Sequence, residues 1–391
     1  MSIDFDKVID RRNSNSLKWD EMEPRFGISK EDGIPMWVAD MDFRPPQAVN
    51  DMLFKQADHG INGYFGNNKD FQDSIISWLK RRHNYTIDRE WISSVPGVVA
   101  AYSLAIQAFS EEGDGVLVFS PVYHAFARAI KANGRKLIES ELILENGRYS
   151  MDIDGLDELV DEKTKILLLC SPHNPGGTVW TQEELKEISE YCCKRGILII
   201  SDEVHHDLVF EGHKHFVTAG ISEEIADNTI TLAAVSKTFN LAGFATAYSI
   251  ISNGKLRDRF NKHLHACSVD PNRLGMLATV AAYNHGEQWL DELLQYLSRN
   301  QETFINGIET AIPGVNVMRL ESTYLSWVDC TEASIPISQI SKKIEREAKI
   351  CINHGKAFGK GGENFLRFNL ACPHSVVEKA VDRLSTVFAS A

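Results

Sequence analysis

The 391-residue sequence lacks an excess of positive charge, a long apolar run and a pattern of paired cysteines. Its net charge of −13 argues against nucleic acid or an anionic membrane as the main partner, because both are bound through clustered Lys and Arg. No apolar run approaches the roughly 20 residues of a membrane helix, and the start shows no signal-peptide pattern. The seven cysteines are odd in number and scattered, which argues against a disulfide framework and indicates a reducing cytoplasm.

What is present is typical of a soluble globular protein, with 43% hydrophobic and 24% charged residues. The length predicts two or three domains. Apolar runs that indicate buried strands alternate with helical patterns, and this alternation predicts an α/β domain with a mainly parallel sheet wrapped by helices, over about residues 48–285. The predicted strands are 92–95, 116–119, 166–170, 197–201 and 230–234, and the predicted helices include 71–82, 98–109, 123–131 and 181–194.

The pattern changes after residue 286. A long helix is predicted at 287–311, and it is followed by short strands and helices at 323–327, 336–347, 350–353, 365–370 and 375–389. This α+β layout predicts a smaller C-terminal domain, residues 286–391. We expect it to pack with an N-terminal arm, residues 1–47, because the arm's Trp19 and Trp37 indicate an ordered segment.

Residues that follow the predicted strands are candidates for a ligand site, since open α/β sheets bind ligands beyond the carboxyl ends of their strands. Gly97 precedes a helix whose first N–H groups, at Val98 and Val99, suit a phosphate. Tyr123 follows the second strand and could stack on a planar ligand or pack in the core. Either position is also compatible with an ordinary strand-to-helix turn.

Three further strand ends carry polar side chains. Asn174, held between prolines and glycines, could donate to a phenolic oxygen, and Asp202 could pair with a protonated ring nitrogen. Lys237 could form a Schiff base if its surroundings lower its pKa. Each signal is weak alone, but together and in this order they describe a site for pyridoxal phosphate (PLP).

Two other patterns point to less. His205, His206, His213 and His215 lie close together, but no Cys or acidic residue falls at metal-ligand spacing around them, so no metal site is predicted. The stretch 359–362 has the glycines and lysine of part of a P-loop without the following Ser or Thr, and it is interpreted as a flexible loop beside the substrate.

The sequence also resembles a known family through several stretches. It is similar to the fold-type I PLP enzymes of the class I/II aminotransferase superfamily, and within them to the MalY/PatB group of cystathionine β-lyases, or C–S lyases. The resemblance implies a seven-stranded sheet in the large domain, and it covers nearly the whole chain. The stretches that carry it are 37–43, 59–60, 63–64, 171–175, 201–205, 236–240 and 367–373.

The resemblance implies a role for each candidate residue. Lys237 would bind the cofactor and act as the catalytic base, assisted by Tyr123 stacked on the ring, while Arg367 would hold the substrate carboxylate near Ala39 and Asp40. Tyr64 would reach the phosphate bound by the other subunit of a homodimer with shared active sites. The implied cofactor-binding set is Lys237, Asp202, Asn174, Tyr123, Val98, Val99, Ser236, His205 and Tyr64.

Two departures from the wider aminotransferase pattern are visible. His205 stands where many of these enzymes have a tyrosine, so a contact to the cofactor's O3′ at that position would come from an imidazole. Ala234 and Ala245 stand where many have a serine and an arginine on the phosphate, which increases the importance of Tyr64.

The implied reaction is β-elimination from L-cystathionine or a related cysteine thioether, giving a thiol such as homocysteine, pyruvate and ammonia, as in methionine biosynthesis. An aminotransferase could use the same residues. A regulatory protein of the maltose-repressor type is a third possibility, although nothing in the sequence looks like a DNA-binding helix pair.

Overall fold

A computed structural model describes residues 3–66, 68–269 and 272–389 of the chain. The helices of this part are α1 (Leu17–Asp20), α2 (Met22–Phe26), α3 (Gln47–His59), α4 (Lys69–His83), α5 (Val98–Phe109), α6 (Ala125–Ala132), α7 (Gln182–Arg195), α8 (Glu223–Asp227), α9 (Val235–Thr238), α10 (Gly254–Cys267), α11 (Arg273–His285), α12 (Glu287–Ala311), α13 (Ile337–Lys342) and α14 (His374–Phe388). The strands are β1 (Ile34–Pro35), β2 (Ile92–Val95), β3 (Gly115–Ser120), β4 (Lys136–Glu141), β5 (Ile143–Glu145), β6 (Arg148–Ser150), β7 (Thr164–Cys170), β8 (Leu198–Asp202), β9 (Thr229–Ala233), β10 (Ala247–Ile250), β11 (Asn316–Val317), β12 (Leu325–Asp329), β13 (Ile350–Cys351), β14 (Asn353–His354) and β15 (Phe365–Asn369).

A seven-stranded sheet forms the centre of the large region, in the order β2-β10-β9-β8-β7-β3-β4. Only β10 runs antiparallel to its neighbours. Strands β3, β8 and β9 are buried along their whole length, as expected for strands covered by helices on both faces. The predicted α/β class and its five strands are confirmed.

The other two strands of this sheet were not predicted. Strand β4 lies at the edge and alternates exposed and buried residues, so its sequence lacks the continuous apolar run that marks the inner strands. Strand β10 is four residues long and antiparallel.

The second region has a four-stranded sheet in the order β11-β12-β15-β14. The predicted strand 350–353 is divided in two, because Cys351 pairs with Pro35 of β1 while Asn353 pairs with Arg367 of β15. The predicted helix at 336–347 ends as α13 and continues as a π-helical turn, Lys343–Glu347. The pairing of β1 with β13 joins the N-terminal arm to the C-terminal region; the three domain boundaries themselves stay a prediction.

Long helices cover these sheets with amphipathic faces. In α12 the buried side chains recur at helical spacing, with Trp289, Leu293 and Leu297 facing the core between α11 and the N-terminal arm. Within the described ranges, no helix has both the length and the apolar character that a bilayer span requires.

Candidate active site

The parallel strands deliver the candidate residues to one edge of the sheet. Cys170 of β7 lies beside Asp202 of β8, and Asp202 lies beside Leu232 of β9. Asn174 and Lys237 follow these strands within a few residues, so they leave the sheet at the same edge as Asp202. This is the position at which open α/β sheets bind ligands.

Lys237 lies on the single turn of α9 and is half-buried. Its Nζ donates to the carbonyl oxygen of Ala39 at 2.6 Å. Loss of solvent lowers the pKa of the amine to about 8, an effect that Asp40 opposes and the charge of Arg367 reinforces. The amine is therefore easily deprotonated near neutral pH, which both a nucleophile and a general base require.

Asp202 is a buried carboxylate with few partners. Its one hydrogen bond from the described part of the chain comes from the Val204 N–H, at 3.2 Å from Oδ1. Burial raises the pKa of Asp202 to about 7, although the Val204 hydrogen bond and Lys237 act in the opposite direction. A buried acid without a full set of donors fits a ligand that brings an N–H of its own, such as a protonated pyridine nitrogen.

Arg367, on β15, is buried without a carboxylate partner among the described residues. Its Nη2 donates to Trp37 O at 3.1 Å and to Asn353 Oδ1 at 2.7 Å, while its Nε has no partner. The guanidinium lies 4.8 Å from the Phe358 ring centroid, and burial lowers its pKa to about 10. A buried cation with an unused donor fits the α-carboxylate of an amino acid.

Arg367 also fixes the orientation of Asn174. The Nη1 of the guanidinium donates to Asn174 Oδ1 at 3.1 Å, so the amide must present its oxygen to the arginine. The Asn174 NH₂ group is left as the donor for a ligand. The geometry is that of the predicted donor to a phenolic oxygen.

Tyr123 and His205 border the same space. Tyr123 is half-buried, and burial together with the negative charge of Asp202 raises the pKa of its hydroxyl. His205 is buried with Nδ1 unpartnered. Burial and the charges of Lys237 and Arg367 hold its pKa well below the usual value, so the imidazole is neutral.

The phosphate end of the predicted site is the N-terminus of the 12-residue helix α5. Gly97 precedes it with φ of 140°, a conformation that favours glycine. The first N–H groups of the helix, at Val98 and Val99, have no intrahelical acceptor. The half-buried hydroxyl of Ser236 makes no hydrogen bond within the described chain. Phosphate fits this arrangement of free donors.

Two predicted residues do not converge on this space through their side chains. Tyr64 is fully exposed in the segment between α3 and α4, so one chain alone does not bring it to the site. The Asp40 carboxylate is occupied by Arg11, whose Nη1 and Nη2 lie 3.0 and 2.8 Å from its two oxygens. Its substrate-binding role, like the other assigned roles, stays a prediction.

Sequence reasoning missed the residues that hold the 38–43 segment over the lysine. Asn240 accepts from Met41 N at 3.0 Å and donates to Met41 O and Phe43 O at 2.9 and 3.0 Å. Asn369 donates to the carbonyls of residues 38 and 40, and the Tyr324 hydroxyl donates to Ala39 O at 3.0 Å. Asn240 and Asn369 lie within the stretches that carry the resemblance, which is the signal that could have found them.

This constellation agrees with the comparison of the whole sequence with protein families. Residues 32–384 match the family described as aminotransferase class I and II. The chain belongs to this family, in the group of PatB and MalY. It is 36% identical to "Cystathionine beta-lyase PatB" of Bacillus subtilis over 98% of this chain and 99% of the relative, and 33% identical to "Protein MalY" of Escherichia coli over 97% of each.

Solved structures of the family superpose closely on this chain. Cystalysin from Treponema denticola, which contains a pyridoxal 5′-phosphate cofactor, has a TM-score of 0.95 at 37% identity, with all of both chains covered (100%). A PLP-bound putative aminotransferase from Clostridium difficile 630 has a TM-score of 0.95 at 38% identity, covering 99% of this chain and 100% of that one.

Proposed function

We propose that the chain is a PLP-dependent carbon–sulfur β-lyase that cleaves L-cystathionine or a related cysteine thioether to a thiol, pyruvate and ammonia. The observation that carries this proposal is the convergence of an easily deprotonated amine, Lys237, and an uncompensated buried guanidinium, Arg367, at one sheet edge. The near full-length match to a relative named cystathionine β-lyase assigns this amino-acid chemistry to the lyases.

Each side chain has a distinct task in this reaction. Bound PLP supplies an electron-withdrawing ring that stabilises negative charge at the substrate Cα. Asp202 keeps the ring nitrogen protonated, and the Asn174 amide donates to the phenolic oxygen. Arg367 holds the α-carboxylate, which orients the Cα–H bond toward Lys237. The lysine then removes the Cα proton as general base, and the β-sulfur leaves as a thiol.

Transamination is the second candidate, because the same residues would serve it and a solved structure at 38% identity is described as a putative aminotransferase. The two reactions differ in whether the β-sulfur leaves or the Cα electrons are reprotonated elsewhere. No side chain described above enforces one outcome by its position alone, so the reaction itself must be measured.

The test is an assay of the purified protein with PLP and L-cystathionine, with and without a 2-oxo acid, measuring thiol and pyruvate. A lyase releases both products without the oxo acid, and the Lys237→Ala variant releases neither. Turnover that requires the oxo acid and yields no thiol would assign the protein to the aminotransferases.

We further propose that the enzyme is a homodimer with shared active sites. Large apolar side chains are exposed around the end of α3 and the start of α11, namely Phe54, Ile61, Tyr64, Phe65 and Leu274, as expected of a surface that another subunit covers. Tyr64 would then donate to the phosphate bound by the partner subunit.

Mixing two inactive variants tests this sharing. Tyr64→Phe and Lys237→Ala subunits should form a heterodimer with one intact site and one doubly damaged site, so activity should return on mixing. Mixtures that recover no activity, although heterodimers form, would contradict a shared site.

A cytoplasmic location and a small-molecule amino-acid substrate, rather than nucleic acid or a membrane, complete the proposal. All seven cysteines lie in the described part of the chain and all are free, which is usual in a reducing compartment.

A further inference from the structure

A cluster of buried ionisable side chains lies behind the active-site edge, and the reaction above does not use it. His83, at the end of α4, meets His206 and His215 from the segment that follows β8. Glu203 and Asp207 lie among these rings, and the side chains of all five residues are at most 6% exposed. We call these five residues the histidine cluster.

The cluster holds two buried negative charges. Although burial raises the pKa of each carboxyl, hydrogen bonds and nearby histidines lower the pKa of Glu203 and hold that of Asp207 well below its usual value. The ion pairs that these carboxylates make with the described residues are all with histidines. If those imidazoles are neutral, two buried charges remain without a cation, and this is costly inside a protein.

One ligand atom in the cluster is unused. The Nε2 of His206 is buried and makes no hydrogen bond, although it lies 3.2 Å from Asp207 Oδ2. On the other side of the carboxylate, His83 Nε2 lies 2.8 Å from Asp207 Oδ1. The ligand atoms of His83, His206 and Asp207 all lie within 4.8 Å of one another.

These separations suit a small divalent cation. Zinc binds imidazole nitrogen and carboxylate oxygen at about 2.0 to 2.2 Å, which places neighbouring ligand atoms roughly 3 to 3.5 Å apart. Trp78 Nε1 and Thr238 Oγ1 donate to the two Asp207 oxygens at 2.9 and 2.8 Å, as donors commonly do to a ligating carboxylate. We propose that His83, His206 and Asp207 bind a structural zinc ion.

The proposed site lies beside the lysine turn without being part of the reaction. Thr238 directly follows Lys237, and its hydroxyl is bound by Asp207. A zinc ion at this place would fasten α4, through His83, to the segments that carry Asp202 and Lys237. The expectation of no metal arose because His83 is far from the other histidines in the sequence.

The test is the metal content of untagged, PLP-loaded protein, measured by mass spectrometry after dialysis against buffer without metal. The wild type should hold about one zinc ion per chain. The His206→Gln variant, which keeps a polar side chain of similar length, should hold less than about a tenth of that. The matched control is His213→Gln, because His213 is seven positions away and its side chain is 40% exposed; it should keep the wild-type content.

A second measurement on the wild type alone protects the test against a variant that does not fold. Removal of zinc with a chelator should lower the thermal unfolding midpoint, and added Zn²⁺ should restore both the midpoint and the stoichiometry. A wild type that holds no zinc as purified and takes up none on addition would overturn the proposal. Equal zinc content in folded His206→Gln and His213→Gln would overturn it as well.

Discussion

Replacing Asp202 with asparagine should stabilise the cofactor-free protein while it impairs cofactor function. The carboxyl is only 4% exposed, and its pKa is about 7 in the fold against an ordinary value of 3.8. Each pKa unit corresponds to about 1.4 kcal/mol, so the ionised carboxylate destabilises the fold by up to about 4 kcal/mol above pH 7. An asparagine of the same shape keeps the Val204 hydrogen bond and carries no charge.

The sign of the pH dependence follows from the raised pKa. The folded state binds the Asp202 proton more tightly than the unfolded state, so this cost is small near pH 4, grows as the pH rises and is complete above about pH 7. The Asp202→Asn variant should therefore exceed the wild type by up to about 4 kcal/mol at pH 8 and by less than about 2 kcal/mol at pH 5. The assay is urea unfolding of both cofactor-free proteins at each pH.

Asp42 offers a matched control, because it is also buried but is fully paired. It accepts from Lys18 Nζ at 2.8 Å, Arg11 Nη1 at 2.7 Å and Trp19 Nε1 at 2.9 Å. The Asp42→Asn variant should lose roughly 3 to 5 kcal/mol at pH 8, since it leaves buried cations without their partner. An Asp202→Asn protein no more stable than the wild type at pH 8, or equally stabilised at pH 5, would refute the reasoning.

Three further predictions concern the lysine, the arginine and the segment between them. Arg367→Lys should lower kcat/KM for the thioether about 10- to 100-fold, mainly through KM, because a lysine cannot make the two charge-assisted hydrogen bonds of a fork; steady-state kinetics measures this. Asn240→Ala should lower the free energy of unfolding by about 3 kcal/mol, since it removes three hydrogen bonds to the 41–43 backbone; urea unfolding measures it. The rate at which added PLP becomes covalently bound to Lys237 should rise with pH and level off above about 8, because only the neutral amine attacks; the absorbance of the cofactor follows it.

The sequence allowed the catalytic edge to be predicted because its residues follow continuous apolar runs. Asn174, Asp202 and Lys237 come within four residues of the ends of β7, β8 and β9. A parallel sheet necessarily places such ends together. Strand β4 escaped prediction because an edge strand can carry charged residues on exposed positions, as Lys136 and Glu141 do.

The surroundings of the catalytic groups were less accessible to sequence reasoning. Asn353 and Phe358 contact Arg367, but neither stands in a local pattern that indicates such a contact. His83 joins the histidine cluster only through the packing of α4 against the β8 segment. Contacts of this kind depend on how distant elements meet, and a single sequence records no periodicity for them.

The fastening of the 38–43 segment has a consequence for biosynthesis. Met41 and Asn240 are 199 residues apart, and Val38 and Asn369 are 331 apart. During translation, the turn that carries Lys237 therefore emerges long before the last clamp on the segment that covers it. The active site is a late product of synthesis, and a chain interrupted before Asn369 leaves the ribosome with its catalytic lysine made but its cover unfastened.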